Sequence, residues 1–85
     1  MTTTVLYFAK LREQIGTAEE VLEIPSDIGT VEAFIGWLAD RSEGHAAALA
    51  NPSLIRIALD QDYALMSDAL GTPREIAIFP PVTGG

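Results

Sequence analysis

The sequence contains no cysteine, which removes thiol nucleophiles, disulfide frames and thiolate metal sites together. It has one histidine, His45, and no Gly-x-Ser-x-Gly elbow, so a serine-hydrolase site is not expected. His45 follows Gly44 and precedes Ala46; it is expected to be solvated or to cap a helix start, because metal binding needs further ligands at matched spacing. Asp60 and Asp62 open like a calcium loop but lack its later acids and glycine, which leaves a plain turn. The glycines form neither phosphate-cradling spacing, Gly-x-Gly-x-x-Gly or Gly-x-x-x-x-Gly-Lys. No metal site, and no cofactor bound by this chain, is therefore expected. Basic residues are scarce as well: 5 Lys and Arg against 12 Asp and Glu give a net charge of −7, which repels nucleic acid and anionic lipid. The longest apolar runs, residues 5–9 and 46–50, fall far short of the roughly 20 residues that span a membrane. A basic leader segment is also missing, and a cytoplasmic location is the expectation.

What is present is an ordinary globular composition, 48% hydrophobic and 20% charged, in a length that accommodates one core. Residues 4–9 are rich in β-branched and aromatic side chains and too few for a stable helix, which predicts a strand whose two faces both meet something apolar. Residues 10–16 carry three charges and end in glycine, suiting a helical turn or loop. Residues 20–24 predict a second strand, with Leu22 and Ile24 on one face, Val21 and Glu23 on the other, and Pro25 as its stop. Glu19, Glu20 and Glu23 are expected to guard an edge strand against aggregation. Thr30 is a natural N-cap, and Val31, Phe34, Ile35 and Leu38 form the apolar stripe of a helix. Gly44 is its expected stop, followed by a short turn over residues 45–50 that Asn51-Pro52 breaks. Further strands are predicted at residues 54–59, with Ile55, Ile57 and Leu59 inward and Arg56 outward, at 63–65, and at 75–79. Continuous apolarity places the first and last strands at the sheet centre. One main helix covers a single face, which makes the other an interaction surface.

The chain divides into a globular part, residues 1–79, and an extended tail, residues 80–85. In Phe79-Pro80-Pro81-Val82-Thr83-Gly84-Gly85 the two prolines fix an extended course and the two glycines bare the tip. At about 3.3 Å per residue the tail from Pro80 onward reaches roughly 20 Å, far enough to enter another protein's active site. The functional group at such a tip is the α-carboxylate of Gly85, ionised at neutral pH and inert to acyl chemistry until activated, for example as an acyl-adenylate. Without a Cβ at Gly84 or Gly85 the carbonyl is unhindered, and a narrow tunnel can close around the backbone. Lys10 and Arg12 share one loop; contact with a partner or an anionic ligand stays open there beside plain solvation.

The segments Leu6-Tyr7-Phe8-Ala9-Lys10-Leu11-Arg12-Glu13, Thr30-Val31-Glu32 and, above all, the Phe79 to Gly85 ending resemble the small, sulfur-carrier subunits of molybdopterin synthase, a ubiquitin-like sulfur-carrier family. The resemblance runs over nearly the whole chain in order and spacing. The family often has Val-Asn where this chain has Leu59-Asp60, and Asp-Gly-Asp-Glu-Val at residues 72–76. The resemblance implies an α+β fold, the ubiquitin-like β-grasp, with a mixed sheet and one main helix packed on one face. It also implies that Gly85 is adenylated with MgATP by a ubiquitin-activating-type adenylyltransferase, and that a sulfur donor enzyme then replaces AMP to leave a thiocarboxylate. The tail, Gly84 included, would enter the large catalytic subunit of molybdopterin synthase. There it would deliver sulfur to the cyclic pyranopterin monophosphate precursor of the molybdenum cofactor, in an assembly that the family builds as a heterotetramer. The chain would thus be the sulfur-donating subunit of a transferase complex without catalytic machinery of its own. Partner binding is implied for Phe8, Tyr63 and Phe79 as a docking patch and for Pro80, Pro81, Val82 and Thr83 as the stalk. A thiamine-pathway sulfur carrier shares fold and tip, but its tails usually lack Phe-Pro-Pro-Val. A protein modifier forming isopeptide bonds often has a basic tail, whereas residues 80–83 here carry no charge. A binding module without tail chemistry would tolerate loss of Gly84-Gly85.

Overall fold

The computed structural model describes residues 1–81. Five strands form one sheet in the order β2-β1-β5-β3-β4: β1 Thr2–Tyr7, β2 Glu19–Glu23, β3 Arg56–Leu59, β4 Asp62–Ala64 and β5 Glu75–Phe79. β1 and β5 run parallel at its centre, with Val5 opposite Ile76 and Tyr7 opposite Ile78, while the other three pairings are antiparallel. This mixed topology is that of the ubiquitin-like β-grasp. The continuously apolar strands sit where neighbours on both sides hide their backbone, as their composition predicts.

Three helices, α1 Lys10–Ile15, α2 Val31–Ala39 and α3 Glu43–Ala48, contribute to one core with the inner sheet face. Val5, Tyr7, Ile57, Ile76 and Ile78 of the sheet are buried against Leu11 of α1, Phe34 and Leu38 of α2, and Ala48 of α3. Each large apolar side chain hidden in this way stabilises the fold by about 1.5–3 kcal/mol, which decides the packing in so small a domain. Thr30 caps α2, its hydroxyl accepting the Ala33 N–H at 3.1 Å, as its place in the sequence predicts. The amides of Val31 and Glu32 donate to the carbonyls of Asp68 and Met66 and so fasten the segment after β4 to the helix start.

Of the helical turn and the loop that residues 10–16 allowed, the structure has a helix over residues 10–15, closed by Gly16 at φ 96°. Two expectations are corrected. Gly44 does not stop α2, which ends at its cap Asp40; it lies inside α3. A Cβ at Gly44 would stand 2.5 Å from the carbonyl oxygen of Gln14, so glycine is what lets α3 lie against α1. Finally, β1 is not covered on both sides. Leu6 is half-buried and Phe8 exposed, and the outer sheet face is left open among the described residues.

The β3–β4 connection turns in two residues, Asp60 and Gln61, both left-handed at φ 49° and 73° as a tight hairpin requires. Asp60 Oδ1 also accepts the amides of Arg74 and Glu75 at 2.9 and 3.0 Å, fixing the start of β5. Asp60→Ala is therefore expected to lower unfolding stability in urea by about 1–2 kcal/mol, since two bonds are lost and alanine resists positive φ. Asp60→Asn keeps an acceptor and tolerates the conformation, and should lose less than half as much. Equal losses would show that an amide oxygen at this position does not replace the carboxylate as acceptor, against this reading.

Candidate functional site

Strand pairing determines which side chains share the open face. Leu6, Ala77, Ala58 and Tyr63 lie in one row across β1, β5, β3 and β4. In the next row, toward the tail, Phe79 lies opposite Arg56. Phe8 follows directly on β1, and its amide donates to the Ile78 carbonyl at 3.2 Å. Phe8 and Tyr63 are 47% and 76% exposed, far more than a core aromatic allows. Phe79 is half-buried, its ring centroid 5.8 Å from that of Tyr63. Between Phe8 and Phe79 the small side chain of Ala77 leaves a shallow apolar hollow, bounded also by Leu6 and Pro80. Glu19, opposite Leu6, and Glu75, opposite Thr4, border the face with negative charge.

The tail leaves from the middle of this arrangement. Pro80 and Pro81 are half-buried; on their other side a groove between α1 and α3 is lined by Lys10, Gln14, Ala47 and Leu54. The structure thus gathers Phe8, Tyr63, Phe79 and Pro80 on one side of the tail root and sets Lys10 across it. Arg12 is exposed on α1 and lines neither depression. Val82, Thr83, Gly84 and Gly85 lie outside the described residues.

Phe8 is presented by an unusual turn. Ala9 has φ 54° and ψ −131°, a conformation that glycine adopts freely and alanine only with strain of about 1–3 kcal/mol. Flanking hydrogen bonds impose it: the Leu11 amide donates to the Phe8 carbonyl and the Glu13 amide to the Ala9 carbonyl.

Behind β1 lies a cluster that the sequence does not announce. His45 is 6% exposed, not solvated, and its Nε2 stands 2.6 Å from Glu20 Oε1. The Tyr7 hydroxyl donates to the same carboxylate oxygen at 2.7 Å, and Ser42 Oγ is 2.7 Å from His45 Nδ1 while accepting the His45 amide. Glu20 therefore faces inward instead of guarding the edge. Side-chain parity held the clue: Glu20 shares a face with Leu22 and Ile24, and a carboxylate partly withdrawn from water needs donors. Burial alone would raise the Glu20 carboxyl, but hydrogen bonds from His45 and Tyr7, with the charges of His45 and Arg41, outweigh it and hold the group below its usual range. Burial, then the Glu20 hydrogen bond and charge, push the Tyr7 phenol far above its ordinary value, so it remains a donor.

A carboxyl held low in the native state binds fewer protons there than in the unfolded chain. Its stabilisation is complete above the unfolded value of 4.5 and is lost as pH falls through the native value. Stability should accordingly fall more steeply from about pH 5 to about pH 3 in the parent chain than in Glu20→Gln, measured by urea midpoints. Parallel curves would contradict the assigned coupling. Glu23, exposed and held low by the amino terminus and Thr2, contributes to both curves alike.

Among the described residues there is no group of three or more His, Asp or Glu side chains placed to hold a metal ion. None of their helices is long and apolar enough to cross a membrane.

In sequence, the chain is 40% identical over 81 residues to the molybdopterin synthase sulfur carrier subunit of Escherichia coli strain K12, covering 95% of this chain and 96% of that one. The subunit of the same description from Haemophilus influenzae is 38% identical over 81 residues with the same coverage. The human one is 31% identical over 84 residues, covering 95% of this chain and 91% of its own. In structure, SAMP1 from Haloferax volcanii superposes with a TM-score of 0.71 at 24% identity, over 100% of both chains. A Pyrococcus furiosus protein named as a candidate molybdopterin converting factor subunit 1 gives 0.77 at 24% identity, over 96% of this chain and 99% of that one. These structural likenesses establish the β-grasp. The sequence profile of the ThiS family matches residues 5–85, and with relatives this similar over nearly their whole length, the chain belongs to the ThiS family, among the relatives of the molybdopterin synthase sulfur carrier subunits.

Proposed function

We propose that the chain is the sulfur carrier of a molybdopterin synthase. The observation that carries this is the end-to-end likeness to subunits of that description, 40% identical over 81 residues, in a chain ending Phe79-Pro80-Pro81-Val82-Thr83-Gly84-Gly85. A carboxylate is a poor acyl donor, so the Gly85 carboxylate first attacks the α-phosphorus of ATP, held with magnesium by a ubiquitin-activating-type adenylyltransferase, and pyrophosphate leaves. Sulfide-level sulfur from a donor enzyme then displaces AMP from the acyl carbon and leaves a thiocarboxylate. The absence of cysteine agrees with sulfur arriving from outside. The open sheet face, with Phe8, Tyr63 and Phe79, docks the large catalytic subunit, and the stalk carries Gly84-Gly85 into its active site. There the thiocarboxylate sulfur attacks the cyclic pyranopterin monophosphate to form a thioester, and water then cleaves the acyl–sulfur bond, which leaves the sulfur on the pterin and returns Gly85 as its carboxylate. This chain supplies reactant and placement, while the partner supplies acid–base groups and charge stabilisation.

Single-turnover mixing tests the proposal. Chain loaded with ATP, adenylyltransferase and sulfur donor, then mixed with large subunit and precursor, should return as the carboxylate form as dithiolene product appears. Sulfur delivered only to a thiazole precursor would make it a thiamine-pathway carrier. Lysine-linked adducts would make it a modifier.

A further inference from the structure

We propose that α3 is a brace for the docking corner: through the adjacent residues Gly44 and His45 it holds both sides of the strained Phe8-Ala9 turn, making Tyr7, Glu20 and His45 positioning residues for partner binding. This rests on the docking role given above to Phe8 and Phe79.

The geometry behind it is local and two-sided. Upstream of the turn, the side chain of Tyr7 is fixed by Glu20, which His45 holds in turn. The His45 and Tyr7 rings meet edge-on, their centroids 6.0 Å apart. Downstream, α1 follows Ala9 directly, and its Gln14 carbonyl lies against Gly44. One short helix therefore touches the chain before and after a residue whose backbone is in a glycine-type conformation. A His-Glu-Tyr cluster in which Tyr7 and His45 are buried and Glu20 is partly so is a costly way to fill space that apolar side chains fill well. Its particular return is direction: hydrogen bonds set the end of β1 at a definite angle, whereas apolar packing tolerates small rotations. If the clamp opens, the strain at Ala9 can relax, and Phe8, the next residue back, changes its aim toward the partner.

The titrating and charged groups around the clamp come from four segments: Tyr7 of β1, Glu20 of β2, His45 of α3, and Arg41 from the α2–α3 connection.

The test is an affinity series with the isolated large subunit, using full-length chain. Tyr7→Phe keeps the ring and removes only the hydroxyl; it should remain folded and bind about fivefold more weakly. Glu20→Gln serves as the second variant should Tyr7→Phe unfold, and the same loss is expected. The discriminating measurement is Tyr7→Phe with Ala9→Gly. Removing the strain removes the drive to relax, so affinity should return to within about twofold of the parent, although the missing hydroxyl still lowers unfolding stability. Weaker binding with no rescue by Ala9→Gly overturns the brace. So does unchanged binding in Tyr7→Phe and Glu20→Gln while Phe79→Ala binds weakly. Unchanged binding in all of these, Phe79→Ala included, overturns the docking face itself and the brace with it.

Discussion

A chain lacking Gly84 and Gly85 is expected to lose sulfur transfer by at least about a hundredfold while its affinity for the large subunit stays within about threefold. The truncated chain still ends in a carboxylate, that of Thr83, and still has its docking face. Only reach and steric access change. Two residues of extended chain span about 7 Å, and displacements of about 1 Å at a reacting centre can cost a hundredfold, so the shortened tip cannot present its carbonyl. Gly85→Ala separates the two causes. It restores the reach but puts a Cβ beside the reacting carbon, and it should dock normally while transferring poorly. Equal losses of binding and transfer in both variants would mean that the tip is a binding element and not the reagent.

The second large effect is expected on the sheet face. Phe79→Ala should weaken the pairwise complex about thirtyfold, equivalent to about 2 kcal/mol, as central aromatic anchors of interfaces do. Phe79 is placed for this role by three features: it is only half-buried in the free chain, it faces Tyr63 at 5.8 Å, and it directly precedes the stalk. Tyr63→Ala, on the edge strand β4, should cost less, about fivefold. Glu32→Ala on the exposed surface of α2 serves as the control and should bind like the parent. Isothermal titration against the large subunit gives all three. If Phe79→Ala binds normally but melts early, the ring completes this chain's own core and the docking face lies elsewhere.

Most of the fold was legible because it rests on local rules. The spacing of Val31, Phe34, Ile35 and Leu38 and the cap at Thr30 specify α2, and all four side chains are buried. The parity of Ile76 and Ile78 against Ala77 and Phe79 specifies which aromatic faces outward. Central placement of the first and last strands follows from their unbroken apolarity. What was not legible depends on contacts between distant segments. Gly44 looks like a helix stop because glycine usually ends helices; only the carbonyl of Gln14, on another helix, shows why it sits inside one. His45 and Glu20 are 25 residues apart, and neither alone signals a part-buried pair. Ala9 gives no sign in the sequence that its backbone takes a glycine-type conformation. The tail reading rests on residue types, two prolines followed at a short distance by two glycines, and on the family resemblance that implies its chemistry; residues 82–85 lie outside the described residues.

The central claim concerns one atom at the end of the chain, and intact-mass spectrometry addresses it directly. After incubation with ATP, magnesium, the adenylyltransferase and the sulfur donor, the protein should gain the mass difference between one sulfur and one oxygen, confined on fragmentation to Gly85. Omitting ATP should abolish the gain. An unchanged mass with all components present and active on a known carrier, or sulfur found on any residue other than Gly85, would contradict the account.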